Sequence, residues 1–522
     1  MPVSLSDVTF SFRPGEKPLF EHLSLTVDAR LTGIVGRNGS GKTTLLHLLG
    51  YAAPSPGLLR QSLSFDRAAT VADVLGVAGT RAALRRIEAG STDPADFDAV
   101  GDDWDAEARA LALVADRVPT LAADAAVLDR PAHTLSGGEL VRLALAALEL
   151  AGAQTLLLDE PTNSLDAAGR TALLDSVRNF PGQVIVVSHD VELLRTMDAI
   201  LEVYRTGPTG AGPSEVVAYG GNYDAYVAQR DAHQAALARH AEDSAAAVKN
   251  EARDLAHVRA ANAASARRGK AATAPLVRKG KLKASHADPT FRRAAEARRA
   301  DRVKAASAKL EDARAAADAA SRALRPDESI RIPVIDPHTP RAKTLLTLSS
   351  GGRTLDVGGG DRVALTGPNG SGKTTLVRGG IGKAEAGTVR VGYLDQCLEL
   401  PAGTVLEAVA SAAPDRLEHD TYELLSKFLI TGVIVHRDVD TLSGGERFRV
   451  ALARVLLASP PPDILVLDEP TNNLDLDSRE QLIEALESYH GALLIISHDE
   501  DLLERLGIER RAELRPGGEL VF

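Results

Sequence analysis

An eight-residue pattern, G-x-x-x-x-G-K-T, occurs twice: Gly36–Thr43 reads GRNGSGKT and Gly367–Thr374 reads GPNGSGKT. This pattern handles phosphate. Gly36, Gly39 and Gly41, and Gly367, Gly370 and Gly372, let backbone N–H groups turn inward around phosphate oxygens. Lys42 and Lys373 supply a point charge for the β/γ-phosphates, and the hydroxyls of Thr43 and Thr374 can hold Mg²⁺. Asn38, Ser40, Thr44, Asn369, Ser371 and Thr375 complete the two loops and the first turns of the helices that follow. A helix N-terminus there adds the positive end of its dipole.

Further motifs recur in the same order. Asp159 and Asp468 end apolar runs (TLLLDE, ILVLDE) and can complete a Mg²⁺ shell. Glu160 and Glu469 follow them, where a carboxylate can orient or deprotonate an attacking water or serve as a second metal-shell acid. His189 and His498 close two more apolar runs, within reach of a γ-phosphate if the strands are neighbours, or else structural. LSGGE stands at both 135–139 and 442–446. Ser136, Gly137 and Gly138, with Ser443, Gly444 and Gly445, offer a second anion-binding surface, whose bland reading is a helix cap. Each copy already has its own phosphate loop, so this second surface is most useful against the nucleotide of the other copy. Head-to-tail pairing would then combine Lys42 with Ser443, and Lys373 with Ser136.

Strand–loop–helix order is needed to position these groups. LTGIVG and RVALTG are short apolar runs ending in glycine, and TTLLHLL opens a helix. The offset between copies is 331 for the lysines, 307 for the serines, and 309 for both the aspartates and the histidines. The chain therefore contains one domain twice, over 1–225 and 330–522, with residues 226–329 as a linker. The expected fold class is α/β: two phosphate-loop cassettes, each a mainly parallel sheet covered by helices, joined by an α-helical hairpin. Ligands would bind at the C-terminal strand ends.

The 522 residues include one cysteine, Cys397, which excludes an internal disulfide and any cysteine-based metal cluster. No run of about 18 apolar residues suggests a membrane span. The start, MPVSLSDVTF, does not read as a signal peptide, so a cytoplasmic setting is expected. The net charge of −11 is uneven: residues 229–325 carry 22 Lys and Arg against 11 Asp and Glu, leaving −22 on the rest. A basic insert between acidic bodies points to a polyanionic partner for the insert alone. Residues 229–268 and 288–325 are Ala-rich, with Arg, Lys and Glu, and favour helix. The segment between them clusters Arg267, Arg268, Lys270, Arg278, Lys279, Lys281 and Lys283. RNA phosphates suit this tip better than stacked bases, since it lacks aromatics; the alternative is a solvated spacer.

LSGGE after a phosphate loop resembles the ATP-binding cassette ATPases. Two copies in one chain, DEPTN-x-LD in both, and YGGNYDAYVAQR at 219–230 leading into a helical linker resemble the ABC-F subfamily. The resemblance implies Mg-dependent ATP hydrolysis by a chain whose cassettes pair internally as a monomer. It also implies action on the ribosome, with rRNA and tRNA as partners of the linker, as a translation or antibiotic-resistance factor. Gln61 and Gln396 look like the glutamine that contacts Mg²⁺ and water. Phe12 is the candidate to stack on adenine in the first half; the second half has no aromatic between Phe291 and Tyr393. Extra residues in the first half, near 81–117, resemble an arm insertion; a bland surface helix pair is the alternative. Rival readings are the ATPase subunit of a membrane transporter and a nucleic-acid-binding ATPase of DNA repair.

Overall fold

The computed structural model describes residues 2–59, 69–121, 124–163, 165–206, 212–278, 289–323, 340, 343–386, 389–396, 398–472 and 474–522. Gln61, Lys279, Lys281 and Lys283 lie outside the described residues. The chain divides into two compact units, Met1–Tyr226 with Glu328–Phe522, and Val227–Asp327.

The first unit holds the two copies. In the first copy the strands are β1 (Val3–Phe10), β2 (Phe20–Val27), β3 (Leu31–Val35), β4 (Pro56–Leu59), β5 (Thr155–Asp159), β6 (Gln183–Val187), β7 (Ala199–Arg205) and β8 (Ser214–Gly220). In the second they are β9 (Thr344–Ser350), β10 (Arg353–Gly358), β11 (Arg362–Thr366), β12 (Val391–Leu394), β13 (Ile464–Asp468), β14 (Ala492–Ile496), β15 (Arg510–Leu514) and β16 (Leu520–Val521). Each copy pairs its first two strands as an antiparallel hairpin. The other six form one sheet, in the order β4-β5-β6-β3-β7-β8 and β12-β13-β14-β11-β15-β16. All neighbours in these sheets are parallel except the last pair, β7–β8 and β15–β16.

Burial explains the apolar runs. Every residue of β3, β5 and β6 is buried, as are those of β13 and β14, because helices cover both faces of a parallel sheet. Leu45, Leu46 and Leu49 of helix Lys42–Ala52 pack with Ile34, Leu157, Ile185 and Val187. The register then sets the chemistry. Asp159 pairs with Val187 and Asp468 with Ile496, so the acidic pair and the histidine leave adjacent strand ends. β3 lies on the other side of β6, which brings the phosphate loop to the same rim.

The first copy has two helices without a counterpart among the described residues of the second, Ala78–Glu88 and Pro94–Val100. Arg86 ties them together through Asp96 at 2.7 Å. Trp104 follows, half exposed, its ring 6.2 Å from Phe97.

In the second unit, helices Tyr223–Arg278 and Pro289–Ala323 meet where Asn262 Nδ2 donates to the Arg299 carbonyl (3.1 Å) and Arg299 Nη2 donates to Ser265 Oγ (3.0 Å). The first helix runs ten residues past the Arg268 limit read from composition. Its root lies in the first unit, where the YGGNYDAY run is a set of anchors. Tyr226 donates its hydroxyl to the buried Glu202 carboxylate at 3.0 Å, and Asn222 Oδ1 accepts the Ala225 N–H at 3.1 Å.

Both phosphate loops begin at a glycine that nothing else can replace. Gly36 has φ 146° and a Cβ there would sit 2.1 Å from the Val203 carbonyl oxygen; Gly367 has φ 136° and would meet the Leu514 oxygen at 2.2 Å. Gly367→Ala should therefore displace the second loop, at a strain of about 1–3 kcal/mol. Titration with a fluorescent ATP analogue should show one nucleotide lost and one retained.

Candidate functional site

At the first rim, Lys42 is buried against its own loop, donating to the carbonyls of Gly36 (2.8 Å) and Arg37 (3.1 Å). Thr43 Oγ1 donates to Asp159 Oδ1 at 3.3 Å. At the second, Lys373 Nζ donates to the Gly367 carbonyl (2.5 Å) and to His498 Nε2 (3.4 Å). Burial lowers the pKa of both lysines, and nearby acids, Glu160 and Glu469 first, oppose that fall. Gly41 and Gly372 precede the helices that Lys42 and Lys373 open, with Thr44 and Thr375 in the first turns.

Glu160 and Glu469 hold left-handed backbone, φ 46° and 48°, a conformation that costs an L residue about 1–3 kcal/mol. Each is secured by its N–H on the neighbouring strand, at the Val187 oxygen (2.9 Å) and the Ile496 oxygen (2.8 Å). Burial raises both carboxyls to about 7, outweighing the lysines. Burial acts on the histidines in the opposite sense, lowering His189 to about 3 and His498 to about 4, so both rings are neutral at pH 7. His189 Nε2 lies 3.2 Å from Glu160 Oε1, and His498 Nε2 3.6 Å from Glu469 Oε1. Neutral imidazoles there are hydrogen-bonding groups rather than partners in an ion pair.

The chemistry of the donors fits nucleotide and magnesium. Two buried phosphate-loop hydroxyls, Ser40 Oγ and Ser371 Oγ, have no protein partner among the described residues, nor do the two ring nitrogens of His189. Unpartnered buried polar atoms at the first rim (Ser40, His189) and at the second (Ser371) call for a polar ligand. Thr43 with Asp159, and Thr374 with Asp468 and Gln396, are hard oxygen donors. No cluster of three acids, histidines or cysteines forms a metal cage among the described residues. Mg²⁺ characteristically takes one or two protein oxygens and completes its shell with phosphates and water. Gln396 is exposed, and Phe12 is 70% exposed with its ring edge-on to Phe10 at 5.4 Å.

Ser136 and Ser443 are N-caps of helices Gly137–Leu150 and Gly444–Leu456. Each closes a capping box, with Glu139 and Glu446 respectively. Gly137, Gly138, Gly444 and Gly445 form the first turns. The contact between copies joins the phosphate-loop asparagines to aspartates that sequence reasoning passed over. Asp475 caps its own helix through Oδ1 (Ser478 N–H, 2.9 Å), while its Oδ2 accepts the Asn38 N–H of the other phosphate loop at 2.9 Å. Asp166 does the same with the Gly169 N–H (2.9 Å) and the Asn369 N–H (3.4 Å). Arg37 adds an ion pair with Asp477 at 2.8 Å. Both aspartates stand inside the repeated DEPTN-x-LD, so the repeat itself was the available signal.

A cavity of about 260 Å³ lies between the copies, lined by Glu160, His189, Arg170, Arg195, Arg479 and His498 among others. Arg479 bonds Asp499 (2.9 and 3.0 Å) and Asp501 (2.8 Å). Arg195 crosses the interface to Asp501 (3.1 Å) and also holds Asp224, in the first turn of the long linker helix, at 3.1 Å.

Two phosphate loops, each braced by the aspartate of the other copy, define a twin-cassette phosphate-loop ATPase. The sequence profile of the ABC transporter family matches residues 20–163 and 351–472. The chain is 34% identical to the tylosin resistance ATP-binding protein TlrC of Streptomyces fradiae, over 99% of this chain and 95% of that one. It is 29% identical to the ribosome protection protein VmlR of Bacillus subtilis (strain 168), over 96% and 85%. Among solved structures, an RNase-L inhibitor superposes with a TM-score of 0.52 at 20% identity, covering 99% and 90%, a likeness of fold. The chain belongs to the ATP-binding cassette family, in its ABC-F branch, and its two cassettes are ATP-binding and ATP-hydrolysing domains. No described helix is long and apolar enough to cross a membrane.

Two outcomes follow from this geometry. A carboxyl raised to about 7 is protonated below that pH and cannot accept a proton, so single-turnover hydrolysis should rise with pH through about 7 and level off above it. Stability runs the other way: the contribution of these buried acids is present below the ordinary carboxylate range and is lost as pH rises through about 7. A pH series of hydrolysis and of thermal melting checks both signs. Arg195→Glu should weaken ATP-dependent closure by placing a carboxylate against Asp501, and Asp501→Arg in the same chain should restore part of it. Fluorescence transfer between dyes on the two cassettes reads this directly.

Proposed function

We propose that the protein is a Mg-dependent ATPase that acts on the ribosome, closing its cassettes on two ATP molecules and reopening on hydrolysis. The observation that carries this reading is near-complete coverage of two relatives named for drug resistance and ribosome protection, by a chain with two cassettes and a helical insert. In each site the phosphate loop (Gly36–Thr44, Gly367–Thr375) would take the phosphates. Thr43 and Asp159, with Gln61, and Thr374 and Asp468, with Gln396, would hold Mg²⁺, which neutralises developing phosphate charge. Glu160 and Glu469 would accept the proton of the attacking water, with His189 and His498 hydrogen-bonding the γ-phosphate. Ser443 and Ser136, already helix caps, would face the nucleotide of the opposite cassette. Phe12 would stack on adenine in the first site alone.

The domains in this reading are 1–225, with an arm near 81–117, a basic linker at 226–329, and 330–522. The cytoplasm is the expected compartment, and one chain supplies both cassettes. Arg267 and Arg268 are exposed on the longer linker helix, where rRNA or tRNA phosphates would be met.

Glu160→Gln with Glu469→Gln keeps the hydrogen-bonding shape and removes the base, for a loss of about 10²–10⁴-fold in hydrolysis. The double variant should co-sediment with ribosomes in ATP and stop growth when expressed. Adding Lys42→Ala and Lys373→Ala should abolish both effects. Slow hydrolysis without ribosome retention would keep the chemistry and exclude the ribosome as the target.

A further inference from the structure

The two metal-binding aspartates do not have the same neighbours. In the second cassette the Tyr393 hydroxyl donates to Asp468 Oδ2 at 3.2 Å. Arg378 Nε in turn donates to the Tyr393 oxygen at 3.4 Å, and the guanidinium lies 5.9 Å from the ring centre. Arg378 also faces Asp395 at 3.7 Å. A chain Asp395–Arg378–Tyr393–Asp468 thus ends on the carboxylate that closes β13.

Strand register identifies the equivalent position in the first cassette. β12 pairs with β13 as Gly392↔Leu465 and Tyr393↔Val466, and β4 pairs with β5 as Gly57↔Leu156 and Leu58↔Leu157. Leu465 and Val466 are the repeat mates of Leu156 and Leu157, so Leu58 stands where Tyr393 does. The phosphate-loop helix differs in step: His47 occupies the place of Arg378, counted from Lys42 and Lys373. Leucine has no donor. In the first cassette Asp159 accepts from Thr43 instead.

We infer that Tyr393 is a positioning residue for the Mg²⁺-binding carboxylate of the second ATP site, and that the first site lacks this device. The inference rests on reading that rim as a Mg-ATP site. A carboxylate oxygen that accepts a fixed O–H bond keeps one orientation and presents its remaining lone pairs to a metal-bound water or the metal itself. Partners of this outer kind set ligand geometry, and losing one costs about 10–100-fold in metal affinity.

The test uses the full chain with Glu160→Gln and Glu469→Gln to prevent turnover, and Asp159→Ala to remove the first metal site. Mn²⁺, visible by electron paramagnetic resonance, is titrated in the presence of ATP. One ATP-dependent Mn²⁺ is expected. Tyr393→Phe, which keeps the ring under Arg378, should weaken it about 10–100-fold and alter its line width, while ATP still binds. Unchanged Mn²⁺ affinity in Tyr393→Phe would overturn the inference. So would loss confined to Tyr393→Leu, which would make the ring a packing element only. If the parent chain binds ATP but no Mn²⁺, the metal reading of the site falls, and the role of Tyr393 with it.

Discussion

One carboxylate with two duties makes the two cassettes a single catalytic body. Asp475 is 6% exposed, and burial alone would raise its pKa. Hydrogen bonds from Ser478 and from the Asn38 N–H outweigh that penalty and hold it below the ordinary value. One of those donors belongs to its own helix and the other to the phosphate loop of the opposite cassette. Withdrawing the Asn38 N–H while this oxygen stays buried would cost about 1–3 kcal/mol. Contact between the cassettes and phosphate-loop geometry are therefore linked through one carboxylate.

The surrounding charges make sense around that link. Burial strips water from Glu160, Glu469, His189 and His498 together, raising the carboxyls and lowering the imidazoles. The acids move toward the pH at which a general base works, and the rings become neutral donors and acceptors at the strand ends. Arg170 of the first cassette helps hold down the pKa of Glu469 in the second, and Asp475 of the second acts on His189 in the first. Each site thus feels residues from both cassettes.

Sequence displayed the groups at three strand ends of each copy, because parallel strands buried on both faces are unbroken apolar runs and their ends carry repeated polar motifs. That made the phosphate loops, Asp159–Glu160, Asp468–Glu469 and the two histidines visible, along with the α/β class. It also suggested helices in the linker, although the first one runs ten residues further than composition implied. Asp475 and Asn38 are 437 positions apart, and no local pattern says that they touch. Arg195 was hidden for another reason: its counterpart is Glu504, so repetition was silent there, as it was for Arg37 and Asp477. Ser136 and Ser443 show the converse. The motif is visible, and its capping box is a full structural duty, independent of what the hydroxyl does toward nucleotide.

Repetition also overstates equality. The first phosphate loop is clamped by the Asn38–Asp475 bond at 2.9 Å and the Arg37–Asp477 pair, whereas the second has Asn369–Asp166 at 3.4 Å, with Pro368 and Ala168 where Arg37 and Asp477 would stand. An exposed ion pair adds about 0–1 kcal/mol at most, so the shorter carboxylate bond is the larger part of the difference. Arg195 adds a bridge from the root of the linker helix to Asp501, which the second cassette, with Glu504, cannot reciprocate. The helix Tyr223–Arg278 is gripped at its first turn by Tyr226–Glu202 and Arg195–Asp224, both in the first cassette. A change at the interface is thus felt at the linker root through Arg195, whose two carboxylate partners lie on the linker helix and on the opposite cassette. Duplication supplied two similar sites; the residues that join them across the interface are unequal.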